Sequence, residues 1–249
     1  MNGNKKNLFN FVNHPLHEKI KFNEKNQCFI YDNKKKFKGI TRILKKKFYS
    51  NYKYKSDYSR NRENKIEDNF FGRQQGLLRG AFIHQQIKDY INRKTDKKFL
   101  EKYPQGVHLF TKKAILALKT WKLTPLFSEL PICDPKNKIA TSIDLLAYDN
   151  KFNIFLIEWK SGMDDYMYKG NSVMEGCLYN DNKKNSILNS PFNQAQLQVS
   201  VEMEILERVY HFNVHSSQII QINNSGIFAR QLDEKINDKR QEIYDYLIL

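Results

Sequence analysis

Cysteine is scarce in this sequence: Cys28, Cys133 and Cys177 are odd in number, widely spaced and without a C-x-x-C pair. That pattern excludes a disulfide framework and a zinc or iron–sulfur site, and it suits a reducing compartment. Long apolar runs are missing too. None approaches the roughly 18–20 residues of a membrane span. The opening stretch MNGNKKNLFNFVNH lacks the apolar core and small residues of a secretory signal, and its lysines among asparagines differ from an Arg- and Ser-rich mitochondrial address. The expectation is an intracellular protein of the cytoplasm or nucleus with no membrane partner, a mitochondrial location being less favoured. Acidic residues are also outnumbered, with 27 Asp and Glu against 42 Lys and Arg, for a formal charge of +15. Such an excess argues against a neutral-ligand enzyme and for a polyanionic partner, nucleic acid ahead of a membrane surface. An AT-rich genome, which enriches Lys and Asn, is the competing explanation.

At 249 residues the chain can build one sizeable core with an appended segment. Residues 36–48 carry Ile40, Ile43, Leu44 and Phe48 at helical spacing. From Lys34 to Lys65 the chain is strongly basic and interleaved with tyrosines. Lys45, Lys46, Lys47, Tyr52, Tyr54, Arg60 and Arg62 are the candidates for nucleic-acid binding, since bases stack on rings while cations meet phosphates. A solvated arm with incidental tyrosines is the alternative. Residues 1–68 are read as a basic Lys/Asn/Tyr-rich region and 69–249 as the folded domain.

Within 69–249, the i, i+3, i+4 pattern predicts helices over 76–94, 112–123 and 191–212, and a closing one from 234. Gly76 and Gly80 inside the first of these imply a close backbone approach. Alternating runs predict strands at 126–133, 138–148 and 153–160 and a hairpin over 215–233. Pro125 and Pro131 bracket the first strand, which favours an edge position. Residues 161–190 fit neither pattern, and a loop that long is usually functional or mobile. The order describes an α/β protein with a mixed β-sheet flanked by helices rather than a doubly wound parallel sheet.

Asp144, Glu158 and Lys160 stand out because they interrupt apolar strands. Glu158 and Lys160 are two apart and so share a strand face, and a hairpin turning at Asp149-Asn-Lys151 brings Asp144 across from them. Two carboxylates and an ammonium are what a hard divalent cation and a developing phosphate charge require. A solvated strand end with a salt bridge is the bland alternative.

With its neighbours, this stretch resembles the PD-(D/E)XK nuclease superfamily, in particular the RecB-like, viral and mitochondrial exonuclease branch. The residues that carry the resemblance are Gly80-Ala-Phe-Ile-His84, then Glu129 on the next strand, Ala140-Thr-Ser-Ile-Asp144, Glu158-Trp-Lys160 followed by Ser-Gly, and Gln198 on the later helix. They span roughly residues 76–230. Two departures stand in the sequence: Ala140-Thr-Ser replaces the family's glycine before Asp144, and Glu202 replaces a tyrosine four residues after Gln198. Gln194 and Gln196 are alternative glutamines on the same helix.

The resemblance implies a restriction-endonuclease-like core with a basic N-terminal extension, and a Mg²⁺- or Mn²⁺-dependent deoxyribonuclease. Its implied role is cleavage from strand ends in DNA replication, recombination or repair, and a viral origin would fit. By the same resemblance Asp144 and Glu158 hold the metal, joined by His84, Glu129 and the Trp159 carbonyl. Lys160 orients or deprotonates the attacking water, and Gln198 positions water or the DNA strand. A non-catalytic nucleic-acid-binding protein with the same fold is the second expectation.

Overall fold

The computed structural model describes residues 3–50, 75–93, 97–162, 167–170, 172–179 and 186–249. In chain order the elements are α1 (Gly3–Val12), α2 (Leu16–Lys19), β1 (Ile20–Asn23), β2 (Cys28–Tyr31), β3 (Lys35–Gly39) and α3 (Ile40–Phe48). Next come α4 (Gln75–Arg93), α5 (Lys97–Lys102), α6 (Leu109–Thr120), β4 (Thr124–Asp134), β5 (Ile139–Tyr148) and β6 (Ile154–Ser161). The last are α7 (Pro191–Tyr210), β7 (Ser216–Ile222), β8 (Ile227–Gln231), α8 (Glu234–Asp238) and α9 (Arg240–Ile248).

The eight strands form one mixed sheet in the order β1-β2-β3-β5-β6-β7-β8, with β4 paired to β5 alone. Having one partner suits a strand that contains Pro125 and Pro131, since proline cannot donate to a second ladder. One face carries α1, α3, α7, α8 and α9 over a core that includes Leu44, Leu146, Leu156 and Leu206. The other carries α4 and α6 over Ile83, Ile87, Leu145, Ile157 and Trp159. Helices on both faces of a mixed sheet agree with the expected architecture. Ser190 starts α7 by accepting from the Asn193 N–H, with Pro191 at the first helical position, so cap and proline fix where that helix enters.

The charge pattern suggested a division at residue 68, and residues 3–50 do not obey it. Phe11 is buried and stacks on Phe212 at 4.0 Å. β3 pairs in parallel with β5 through Lys38↔Ile139 and Gly39↔Ala140, which joins the N-terminal strands to the main sheet. What hid them is their composition. In Lys35-Lys36-Phe37-Lys38 only Phe37 is buried, so a short strand carries one apolar signal among lysines. The helix expected over 36–48 is a strand followed by a helix for the same reason.

β5 has one edge that β3 and β6 share. β6 pairs with it over Leu145–Tyr148 and β3 over Ile139–Ala140, so among the described residues both leave 141–144 uncovered. The strands are irregular at this level. Ile143 and Leu146 both belong to the core under α7, whereas Leu145 and Ala147 belong to the core under α4. Across the ladder, Ser128↔Leu145 and Leu130↔Ile143 place Glu129 opposite Asp144. Glu129 has φ +54°, a left-handed conformation that costs a non-glycine residue on the order of 1–3 kcal/mol. Both kinks fall where the polar residues stand.

Candidate metal centre

His84 comes from α4, which lies close over β6. A Cβ built on Gly80 would meet the Ser161 Oγ at 3.6 Å, so the approach is near but leaves ordinary contact room. One turn on, His84 Nδ1 stands 3.3 Å from Glu129 Oε1 and 3.3 Å from Asp144 Oδ1. The three side chains offer one ligand atom each within 4.8 Å of one another. Asp144 is fixed from behind: its Oδ2 accepts the Trp159 N–H at 2.8 Å, where the β5–β6 ladder has stopped.

Glu158 and Lys160 do share a face, but it is the face under α7. The Lys160 ammonium is 2.6 Å from Glu158 Oε1. Gln198 Nε2 donates to Glu158 Oε2 at 3.2 Å and to Glu202 Oε1 at 3.0 Å, and the Thr141 hydroxyl donates to the same Glu202 oxygen at 3.1 Å. The expected single constellation is therefore two adjoining groups: His84, Glu129 and Asp144 on one side, and Lys160, Glu158, Gln198 and Glu202 on the other. Trp159 takes part through its N–H. Gly162, after Lys160-Ser161, has φ +74°, a left-handed conformation that favours glycine.

Burial and mutual charge set the protonation. Burial opposes the His84 imidazolium, yet Asp144 and Glu129 outweigh it and hold the group well above its ordinary value. Burial raises Asp144, but the His84 charge, Lys160 and the Trp159 N–H together bring it below the usual range. Burial and the neighbouring Asp144 raise Glu129 and Glu158, the latter to about 7 despite Lys160. Lys160 gains from Glu158 and Asp144 more than burial removes, so it stays charged. Glu202 is fully buried, and burial with the nearby Glu158 pushes its carboxyl well above the ordinary value. Glu204, two residues on, is buried against Arg208 and Arg240 at 2.6 and 2.7 Å. Glu202 has no such cation among the described residues, and its Oε2 is buried without a hydrogen bond.

Two carboxylate oxygens and an imidazole nitrogen, clustered and partly desolvated, could hold a divalent cation. The centre opens into a cleft of about 790 Å³ whose lining includes Gly80, His84, Glu129, Asp144, Trp159 and Lys160.

The other sequence candidates lie elsewhere. Lys45, Lys46 and Lys47 end α3, which packs under α7 on the far face, and Lys47 donates to the Tyr246 carbonyl at 2.6 Å. They do not line the cleft. Tyr52, Tyr54, Arg60 and Arg62 are outside the described residues. Gln194 and Gln196 bond to Asn189 and Asn193, so Gln198 is the glutamine that reaches the centre. The segment 161–190 is irregular where described, but Met167, Met174 and Leu178 tie it into the core. Thr141 was not foreseen as part of the site, and Glu202 was read only as a departure. An acid in Val-Ser-Val-Glu202-Met-Glu204-Ile-Leu, otherwise apolar on that stripe, was the available signal.

No protein-family model matches the chain, and no curated protein matches it. Among solved structures, the crystal structure of SSO0001 aligns over 67% of this chain and 70% of its own at 9% identity, with a TM-score of 0.29, a likeness too low to carry any argument.

Proposed function

We propose that this chain is a divalent-metal-dependent nuclease of the PD-(D/E)XK kind that hydrolyses DNA phosphodiesters from strand ends in replication, recombination or repair. The observation that carries the reading is the meeting of His84, Glu129 and Asp144 in one open cleft that Lys160, paired with the buried Glu158, also lines. A bound Mg²⁺ or Mn²⁺ would supply Lewis acidity and acidify a water. His84, Glu129 and Asp144 would hold it.

The protein's own groups divide the remaining work. Lys160 stays charged and lines the cleft, so its ammonium is placed to orient the attacking water and to meet the charge growing on phosphorus oxygens. Glu158 holds that ammonium, and Gln198 holds the other oxygen of Glu158. The net charge of +15 draws a polyanion toward a centre that is itself acidic.

The test is digestion of end-labelled linear DNA with Mn²⁺, Mg²⁺ or chelator, using the wild type, Asp144→Asn and Lys160→Ala. Metal-dependent release of labelled nucleotides that both variants lose supports the reading. Equal activity in chelator overturns it.

A further inference from the structure

The cleft has a second wall that no sequence motif announced. Opposite α4, it is formed by the β1–β2 hairpin, through Ile20, Lys21, Phe22, Glu24 and Gln27. α4 adds Gln85 and Lys88 beside His84. The hairpin is anchored. Ile20, Phe29 and Phe37 are buried in a small core with Cys133 and Ala140, and Tyr31 stacks on Phe37 at 4.9 Å. Phe22 is the exception, 37% exposed on the cleft side and propped from beneath by the Phe29 ring at 4.9 Å. The ring is thus held in place from one side while more than a third of it stays open to solvent in a charged cleft.

We propose that this hairpin binds an unpaired DNA strand, with Phe22 stacking on a base and Lys21 and Lys88 contacting its phosphates. The inference rests on reading the cleft as a nucleic-acid site, though not on hydrolysis there. Inside a duplex both faces of each base are already stacked, so a ring platform engages only an unpaired or frayed base. Both lysines line the cleft, Lys21 from β1 and Lys88 from α4, while its acids, Glu24 apart, belong to the metal-type cluster. Phe22 and Asp144 line the same cleft, so a strand stacked on the ring shares that cleft with the metal-type cluster.

The experiment is fluorescence anisotropy of the full chain in EDTA with labelled dT12 and with a labelled 12-base-pair duplex, so that no cleavage intervenes. dT12 is expected to bind more tightly than the duplex. Phe22→Ala is expected to weaken dT12 binding roughly tenfold or more and leave duplex binding near wild type, whereas Phe22→Trp retains it. Phe22→Leu keeps apolar cover over Phe29 without a ring, so its melting temperature is expected to match the wild type while dT12 affinity falls. Wild-type dT12 affinity in the Leu variant, or a duplex that competes equally with dT12, overturns the proposal. Absence of hydrolysis with Mn²⁺ would count against the nuclease reading and leave this binding result standing.

Discussion

Glu202→Gln isolates the least comfortable group in the protein. The Glu202 carboxyl is fully buried, one oxygen accepts from Gln198 and Thr141, and the other has no partner. Its folded-state pKa lies well above the value of 4.5 it would have in the unfolded chain. The folded protein therefore keeps a proton that the unfolded one releases. The associated stability is present below about pH 4.5 and is lost as pH rises toward the folded value. One proton corresponds to about 1.4 kcal/mol per pH unit over that window. Glutamine keeps the shape and the accepting oxygen but has no proton to lose. Any hydrogen bond it gains or loses is a pH-independent offset. Urea denaturation of both proteins from pH 5 to 8 is the assay. The variant is expected to gain on the wild type by about 1.4 kcal/mol for each unit in which Glu202 stays protonated. Glu158 titrates in both proteins, so its slope largely cancels. A stability difference that stays flat across the range would refute an uncharged Glu202.

Three further outcomes follow from the same geometry. Because His84 is held protonated between Asp144 and Glu129, a metal taking its Nδ1 must displace a proton. Mn²⁺ titrated calorimetrically in two buffers of different ionisation enthalpy is expected to show about one proton released and affinity rising with pH. Lys160→Ala leaves Glu158 buried without its cation, a loss on the order of 3 kcal/mol at pH 8 by urea denaturation. The loss is expected to shrink as pH falls toward 7 and to level off below it, because without Lys160 the Glu158 carboxyl takes up its proton at a higher pH than in the wild type. Phe11→Ala is expected to cost about 3–5 kcal/mol, since the ring is buried against Phe212 and Tyr210. A cost under 1 kcal/mol would mean that the N-terminal residues are appended after all.

The sequence was most legible where one period ran long. The apolar stripes of α4 and α7 and the alternation of β4 to β6 each involve eight or more residues, and each lies within a few residues of its expected position. β1 to β3 were missed because strands of four or five residues, each with a single fully buried side chain, are too short to show a period. The centre was legible as a set of residues and not as an arrangement. Order along the chain identified His84, Glu129, Asp144, Glu158, Lys160 and Gln198. It did not reveal that irregular strands at Glu129 and Asp144 turn one carboxylate toward α4 while Glu158 turns toward α7. The basic arm was legible as charge alone. Lys45 to Lys47 lie on a helix whose apolar face serves the core, and Lys21 and Lys88, which line the cleft along with Lys160, sit on elements with no marked charge run.

The proposal that His84, Glu129 and Asp144 hold a metal beside Lys160 for DNA hydrolysis is tested most directly by release of nucleotides from end-labelled linear DNA, using purified wild type and Asp144→Asn with Mn²⁺ and a chelator control. Metal-dependent hydrolysis is expected to fall by about two orders of magnitude or more in Asp144→Asn while the variant stays folded. Full activity in the folded Asp144→Asn protein would contradict it.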